Sequence, residues 1–213
     1  PTFRPDLPRE IDLYEEVLRL YGMDRIEPTL PGGRGRFGVR TEAQRTLDVI
    51  NDTMRASGLN ETMTYSFADP HELEQLRMST EGMGVPVELL NAEQSVMRQS
   101  IIPGLMRSVA YNQSRGVHNV QLYETGVVFF GAEGHKKPKE RQRLAAVMAG
   151  GMGDDAWNRK TIAFDFFDGK GVIENLIREL AIPKPRFKAL SAEEAPHLQP
   201  GRAAQVLSGG TVL

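Results

Sequence analysis

Five carboxylates crowd residues 4–16, and they are Asp6, Glu10, Asp12, Glu15 and Glu16. Glu10 and Asp12 suit the first turn of a helix, where each acid complements the helix dipole by about 0.3–1 kcal/mol. Glu15 and Glu16 lie beyond that turn, at i,i+3 and i,i+4 from Asp12, a spacing at which like charges destabilise a helix. Clustered carboxylate oxygens are the ligands that Mg²⁺ takes. Three interpretations stay open: a metal site, a solvated face, and a salt-bridged protein interface.

The other side chains that could take part in catalysis or metal binding match no recognisable motif. The chain has no cysteine, which excludes thiol nucleophiles, disulfides and cysteine-ligated zinc. No Gly-x-Ser-x-Gly nucleophile motif is present, and we predict no catalytic residue. The four histidines match no zinc-binding spacing and are predicted to be surface or loop residues. They are His71, His118, His135 and His197.

Three further stretches could be functional, but for each of them we predict a structural role. The segment "GGMGDD" (150–155) lacks the Gly-Lys-Ser/Thr ending of a phosphate loop, so we predict a plain loop. The basic run "HKKPKER" (135–141) is predicted to be a solvated hairpin tip. Arg98 precedes a proline-started helix, and its simplest interpretation is an incidental surface arginine beside core packing.

The acids must be positioned by a helix over residues 10–21, whose apolar side chains cover one half of the helical wheel. Asp12, Glu15, Glu16 and Arg19 cover the other half, with Arg19 placed to relieve Glu15. Gly22 is a natural stop. Residues 28–39 are rich in proline and glycine and lack periodicity, which predicts a linker.

Beyond the linker, helices alternate with strands. Thr41 and Gln44 have the spacing of a capping box, which predicts a helix that Gly58 ends. In "ETMTYSF" (61–67), apolar and hydroxyl side chains alternate, which predicts a strand with Met63 and Tyr65 on its buried side. The remaining predicted helices are a short one after a turn in "ADPHELEQLRM" (68–78), 103–114 and 168–181. The remaining predicted strands are 85–90, 119–130, 143–151 and 203–207, with a further strand beginning in the terminal "GGTVL". This order favours an α+β fold with a mostly antiparallel sheet.

Bulk composition narrows the class of protein. The chain has 213 residues, and its 40% hydrophobic fraction can support a core. Its formal charge of −2 argues against a protein that is itself a basic nucleic-acid clamp. No apolar run approaches the roughly 20 residues that cross a bilayer, and no signal peptide is evident. We therefore expect a cytoplasmic protein without a membrane partner. The start at Pro1 and the end at "GGTVL" lead us to expect a piece of a longer protein.

Several stretches together resemble the β subunit of bacterial phenylalanine–tRNA ligase. They are "RPDLPREIDLYEEVLRLYGMDRI", "ETMTYSFADP", "LLNAEQSVMRQSIIPGLMRSVAYNQSRG", "VQLYETGVVFF", "FDFFDGKGVIENLI" and "LQPGRAAQV". They occur in the family's order and cover nearly the whole chain.

The resemblance implies a domain division and a partner. Residues 1–27 would be the end of a preceding, magnesium-associated domain, 28–39 a linker, and 40–213 a truncated class II synthetase-like core. The helix at 41–57 and the strand at 61–67 resemble class II motif 1, which is used in subunit interfaces. The family's β core pairs with a catalytic α subunit, and two α and two β chains form the enzyme.

The resemblance also implies a magnesium cofactor and argues against a catalytic role for this chain. Magnesium would be shared with the α subunit, and the matching acidic positions are Asp6, Asp12, Glu15 and Glu16. ATP and phenylalanine would bind only at the α subunit, and tRNA would be met through the whole enzyme. Where a catalytic motif 2 would continue after "YETGVVFF" with an arginine, this chain has Phe130, Gly131 and Ala132.

The resemblance therefore implies a non-catalytic core that supports the α subunit. Two alternatives stay open: an independent enzyme with a metal site on the acidic helix, and a stand-alone RNA-binding module. Because an interface without its partner exposes apolar area, we also expect this chain to self-associate.

Overall fold

The computed structural model describes residues 2–29, 38–79, 94–131 and 137–213. Contacts divide the chain into two compact units, Pro1–Val39 and Arg40–Leu213. The strand predicted over 85–90 lies outside the described residues, as do most of the predicted linker and His135. Across the described part, no helix is long and apolar enough to cross a membrane.

The first unit contains α1 (Glu10–Tyr21), followed by a 3₁₀ turn over Met23–Arg25. The helix predicted over 10–21 is confirmed. Gly22 ends it with φ +100°, a conformation that glycine adopts without strain, and its N–H donates to the carbonyl of Leu18. Asp12 is only 8% exposed, so a solvated face, one of the three interpretations left open for the acids, does not include it.

The centre of the second unit is a hairpin of two long strands. β4 (Val120–Phe130) and β5 (Lys139–Ala149) pair antiparallel from Val120–Ala149 to Phe130–Lys139. β5 begins four residues before the predicted strand, because the polar run Lys139–Arg143 pairs with the outer half of β4. Arg141 and its two preceding residues therefore belong to a strand and not to a hairpin tip. β1 (Asn60–Glu61) adds a short parallel edge to β4.

Each face of this sheet packs against helices. On one face, α4 (Ile102–Ser114) and the residue before it bring Ile101 and Leu105 onto Val128. On the other face, α2 (Glu42–Ala56) and α5 (Phe166–Glu179) bring Met54 and Val172 onto Tyr123. The alternation of side chains along β4 separates the two cores.

Polar caps set where the two helices on the second face begin. The Thr41 hydroxyl accepts the Gln44 N–H and the Gln44 side chain accepts the Thr41 N–H, so the predicted capping box is confirmed. Asp165 caps α5 in the same way, with Asp168 returning the bond. α5 therefore begins two residues before the predicted start.

The prediction for residues 61–67 is wrong in two respects. Only β1 and β2 (Phe67–Ala68) are strand, and β2 pairs antiparallel with β3 (Val96–Met97) outside the main sheet. Met63 and Tyr65, expected on the buried side, are 87% and 77% exposed. The side chain of Thr64 turns inward instead, because a buried polar network binds it.

Smaller elements complete the second unit. α3 (His71–Gln75) is a short helix, and β6 (Gly151–Met152) pairs with β7 (Ile162–Ala163). Gly151–Met152 is thus a strand inside the segment predicted to be a plain loop. β9 (Ala204–Ser208) confirms the strand predicted over 203–207. It lies between β8 (Pro185–Ala189), which was not predicted, and β10 (Thr211–Val212), where a strand was expected to begin in "GGTVL". Among the described strands all pairings except β1–β4 are antiparallel.

Candidate functional site: the acidic helix and a buried arginine

Arg4 bridges two of the predicted metal ligands. Its Nη2 lies 2.7 Å from Asp6 Oδ2 and 3.1 Å from Glu16 Oε1, and its Nε lies 3.0 Å from Asp6 Oδ1. Hydrogen bonding to Arg4 holds the pKa of Asp6 below its usual range. Arg19 and then Arg4 lower the pKa of Glu16 in the same way. Both acids are therefore charged and partnered near neutral pH.

Asp12 has a structural task at the start of α1. Its carboxylate accepts the Arg9 backbone N–H at 2.8 Å, and its Oδ1 lies 3.1 Å from Arg9 Nη2. An acid three residues into a helix satisfies a backbone donor that no helical carbonyl reaches. Sequence patterning placed Asp12 in the first turn and on the charged half of the helix, but it missed this capping role.

Glu15 remains exposed, and among the described residues it forms no ion pair. Arg19, predicted to relieve Glu15, instead pairs with Glu16 at 2.8 Å between Nη2 and Oε2. Glu16 thus contacts two arginines, Arg4 and Arg19.

These four acids do not form a metal cage as they are arranged. Within the described ranges, no group of three or more acidic or histidine side chains is gathered so that it could hold an ion. Mg²⁺ needs one or two carboxylate oxygens free to enter its octahedral shell. Here Asp6 and Glu16 are bound by arginines and Asp12 is bound to the backbone, so only Glu15 offers free oxygens.

A second cluster lies inside the core of Arg40–Leu213. Arg98 is 7% exposed, which corrects its interpretation as an incidental surface residue. Its Nη1 lies 2.6 Å from Glu124 Oε1 and 3.0 Å from Thr64 Oγ1, and its Nε donates to the carbonyl of Val127 at 2.9 Å. The guanidinium is thus enclosed by partners from two segments and cannot reach a ligand in solvent.

Glu124 completes the network from the middle of β4. It is 2% exposed, and its Oε2 accepts the N–H of Thr64 at 3.1 Å and the Thr64 hydroxyl at 2.7 Å. Gly126 leaves room for the pair, since a Cβ there would lie 2.2 Å from Arg98 Nη2. Sequence reasoning missed Glu124 and Thr64. The available signal was a lone acid in the apolar strand "VQLYETGVVFF".

The segment after β1 presents apolar side chains to solvent beside α4. Met63 and Tyr65 line a shallow cleft together with Arg107 and Tyr111 of α4. Tyr111 is itself 62% exposed. Large apolar side chains grouped in this way are typical of a surface that a partner covers.

The remaining candidates form no site in the described part of the chain. The ring of His71 faces Glu74 at 3.4 Å and is exposed. In the loop between β6 and β7, the Asn119 amide donates to the Asp154 carboxylate at 2.7 Å, and Thr161 N–H donates to Asp155 at 2.6 Å. That bond lowers the pKa of Asp155. The loop is thereby held in shape while its tip residue Trp157 is 97% exposed.

Comparisons with known sequences agree on one family. The family model described as phenylalanyl tRNA synthetase beta chain CLM domain matches residues 26–213. The phenylalanine–tRNA ligase beta subunit of Moorella thermoacetica is 39% identical over 217 residues, covering 100% of this chain and 26% of that protein. That of Syntrophotalea carbinolica is 36% identical, covering 100% of this chain and 27% of that protein. The chain thus spans about a quarter of the length of these relatives.

Among solved structures, the fold is similar to a pyrrolysyl tRNA synthetase from Desulfitobacterium hafniense. The TM-score is 0.56 at 10% sequence identity, and the match covers 82% of this chain and 55% of that one. A second structure of that protein gives 0.57 at 11% identity. At these identities the likeness concerns the fold alone.

Proposed function

The chain belongs to the phenylalanine–tRNA ligase β-subunit family, and on that premise we propose that Arg40–Leu213 is a non-catalytic, class II synthetase-like core that pairs with the α subunit of the same enzyme. The likeness in fold to a tRNA synthetase supports the class of the core. The family membership supports the partner, because a β subunit implies an α subunit.

The enclosed Arg98 is the observation that carries the non-catalytic role. A catalytic class II core uses arginines to stabilise the charge that develops on ATP phosphates, and such an arginine must be reachable by the nucleotide. Arg98 instead donates its hydrogen bonds to Glu124, Thr64 and the carbonyl of Val127. This face of the sheet is also filled by Ile101 and Leu105. ATP and phenylalanine would accordingly bind at the α subunit, and tRNA would be met by the whole enzyme of two α and two β chains in the cytoplasm.

The exposed residues after β1 supply a surface for the α subunit. α2 and the segment that follows it have the order of the motif 1 elements used in subunit interfaces. Met63 and Tyr65 would be covered when the partner binds, which would remove apolar surface from water.

Co-purification with the α subunit tests the pairing. We expect the chain to be retained by immobilised α subunit and the M63S/Y65S variant to be retained at least about tenfold less, the loss typical of an interface anchor. Trp157→Ser removes an equally exposed apolar side chain elsewhere and should leave binding unchanged. Equal retention of all three proteins would contradict this interface.

Amino-acid activation tests the non-catalytic role. The isolated chain should give no phenylalanine-dependent exchange between ATP and pyrophosphate above a buffer blank. Activity of the chain alone would favour the independent enzyme. Salt-dependent binding of RNA by the chain alone would favour the stand-alone RNA-binding module.

Magnesium shared with the α subunit remains a proposal for Asp6, Asp12, Glu15 and Glu16. Because arginines and the backbone already occupy three of these acids, any such ion would depend on the partner for further ligands and for rearrangement. Chelation and the E15Q/E16Q variant should both weaken retention on the α subunit. If neither chelation nor E15Q/E16Q changes retention, the core pairing stands and the acids form an ion-paired face without a metal.

A further inference from the structure

Met63 and Tyr65 face solvent, although burying large apolar side chains is favourable. Neither residue makes a hydrogen bond to any other residue that the structure describes. Their outer neighbours are held by backbone bonds: the N–H of Thr62 donates to a carbonyl of β4 at 2.9 Å, and the carbonyl of Ser66 accepts the N–H of Arg98 at 2.9 Å. The direction of the two exposed side chains is therefore set by the residues beside and between them.

Thr64 lies between the two exposed residues and is held by one buried ion pair. Its N–H and its hydroxyl donate to Glu124 Oε2 at 3.1 and 2.7 Å. Its carbonyl and hydroxyl oxygens accept from Arg98 Nη1 at 3.3 and 3.0 Å. The ion pair thus binds every polar group of Thr64. Exposure alternates along residues 62–66, so fixing Thr64 inward turns both of its neighbours outward.

Gly104 of α4 closes the other side of the space that Thr64 occupies. A Cβ at position 104 would lie 2.5 Å from Thr64 Oγ1 and 2.9 Å from Thr64 Cβ. A space this tight has no room for the side chain of a methionine or a tyrosine. Met63 and Tyr65 therefore cannot exchange faces with Thr64 while the ion pair and α4 stay in place.

We propose that Arg98 and Glu124 are positioning residues for subunit pairing, because by holding Thr64 inward they present Met63 and Tyr65 to the α subunit. The inference rests on the pairing proposed above and identifies what prepares its surface. Stability alone is a weak reason for the pair, since apolar side chains can often replace a buried ion pair without loss. A docking segment that is already ordered, by contrast, lowers the entropy cost of binding.

Retention on immobilised α subunit, measured together with an NMR contact, tests the positioning. The Hα protons of Gly104 lie beside the Thr64 side chain, so a nuclear Overhauser effect between them reports that Thr64 faces inward. R98M/E124L removes the bonds from the ion pair to Thr64 and leaves no unpaired charge. We expect it to lose this contact and to be retained at least about tenfold less than the parent chain, as for loss of an interface anchor.

Gly104→Ala disturbs Thr64 from the opposite side and leaves the ion pair chemically intact. Its methyl group displaces the Thr64 side chain, so we expect the NMR contact and the retention both to fall, although alanine favours a helix more than glycine does. Gly171→Ala adds the same methyl group to α5, where nothing beyond the helix backbone and chain neighbours lies within 4 Å, and should be retained like the parent chain.

Ile177→Ala controls for stability, because it removes buried apolar atoms of α5 and changes no member of the network. At a temperature where it is folded, it should be retained like the parent chain. Should R98M/E124L fail to fold, Gly104→Ala decides the test alone.

The two readouts separate the possible failures. If the contact between Gly104 and Thr64 survives in R98M/E124L, the ion pair does not turn Thr64 inward. If the contact is lost while retention is unchanged, the presentation does not matter to the α subunit. If Ile177→Ala is retained as poorly as R98M/E124L, general stability governs binding. Each of these results overturns the proposal.

Failure of the pairing itself would look different. If the parent chain is not retained, the pairing fails and this inference fails with it. Loss of the NMR contact in R98M/E124L would then still show that the ion pair orients the segment.

Discussion

Arg98 and Glu124 form an ion pair at 2.6 Å that is sealed inside the second unit, with 7% and 3% of their side chains exposed. The pair joins the residue after β3 to the middle of β4, and through Thr64 it also fixes the segment after β1. Burying two charges costs free energy that only good geometry and further hydrogen bonds offset. The network supplies both, so its main effect is to specify how these three segments pack.

Removing one member of this pair should destabilise the second unit strongly. Arg98→Met leaves a buried carboxylate without its counter-charge, and we expect a loss of about 3–5 kcal/mol in the free energy of unfolding. The double variant R98M/E124L should lose less than the sum of the two single variants, because no unpaired charge remains. Urea denaturation measures all three proteins. Additive losses would mean that the two side chains stabilise the fold independently.

An exposed ion pair provides the comparison for that experiment. Arg55 pairs with Asp52 on the surface of α2, where their side chains are 52% and 74% exposed. Asp52→Asn should leave the midpoint of urea denaturation unchanged within error, because water screens such pairs.

Two glycines should respond in opposite directions to the same substitution. Gly126→Ala places a methyl group against the Arg98 guanidinium and the Glu124 carboxylate, and we expect a loss of about 1–3 kcal/mol through overpacking. Gly171→Ala lies within α5, where nothing beyond the adjoining helix backbone and chain neighbours comes within 4 Å of the new methyl group. It should raise the free energy of unfolding by about 0.5–1 kcal/mol. Thermal or urea denaturation distinguishes them. A tolerated alanine at 126 would show that the Arg98 side chain can shift without cost.

The loop between β6 and β7 should loosen in acid. The backbone N–H of Thr161 lowers the pKa of Asp155 in the folded chain. The bond therefore stabilises the loop fully above the unfolded pKa of about 3.9, and this contribution is lost as the pH falls through the lower folded value. Carboxyl chemical shifts followed by NMR report the titration.

Asp155→Asn provides the control for that titration, because it should abolish the acid dependence of the Thr161 amide signal. A carboxyl group at 155 that titrates at the ordinary aspartate value, or above it, would contradict the prediction.

The chain should self-associate in the absence of its partner. Met63 and Tyr65 are 87% and 77% exposed, and covering them removes apolar area from water. Light scattering should give an average mass that rises with concentration and a smaller rise for M63S/Y65S. A constant monomer mass at high concentration would count against an unpartnered interface on this surface.

Periodicity and capping chemistry are local, and this is why the sequence alone predicted α1, α2, α4 and α5 within a few residues. The Thr41–Gln44 capping box depends on residues three positions apart, and Gly22 ends α1 through its own backbone conformation. The motifs of the resemblance, quoted in order along the chain, were also enough to identify the family that sequence comparison shows.

What the sequence left open depended on partners far apart along the chain. Alternation in residues 61–67 marked Met63 and Tyr65 as buried, but the Arg98–Glu124 pair, 26 residues apart, draws Thr64 inward and turns those apolar side chains out. The spacing of the acids in α1 predicted a charged face but could not show that Arg4, twelve residues from Glu16, already neutralises it. Charge and hydrogen-bond pairing across the fold decided both outcomes, because a buried or crowded charge takes whichever partner the tertiary structure places beside it.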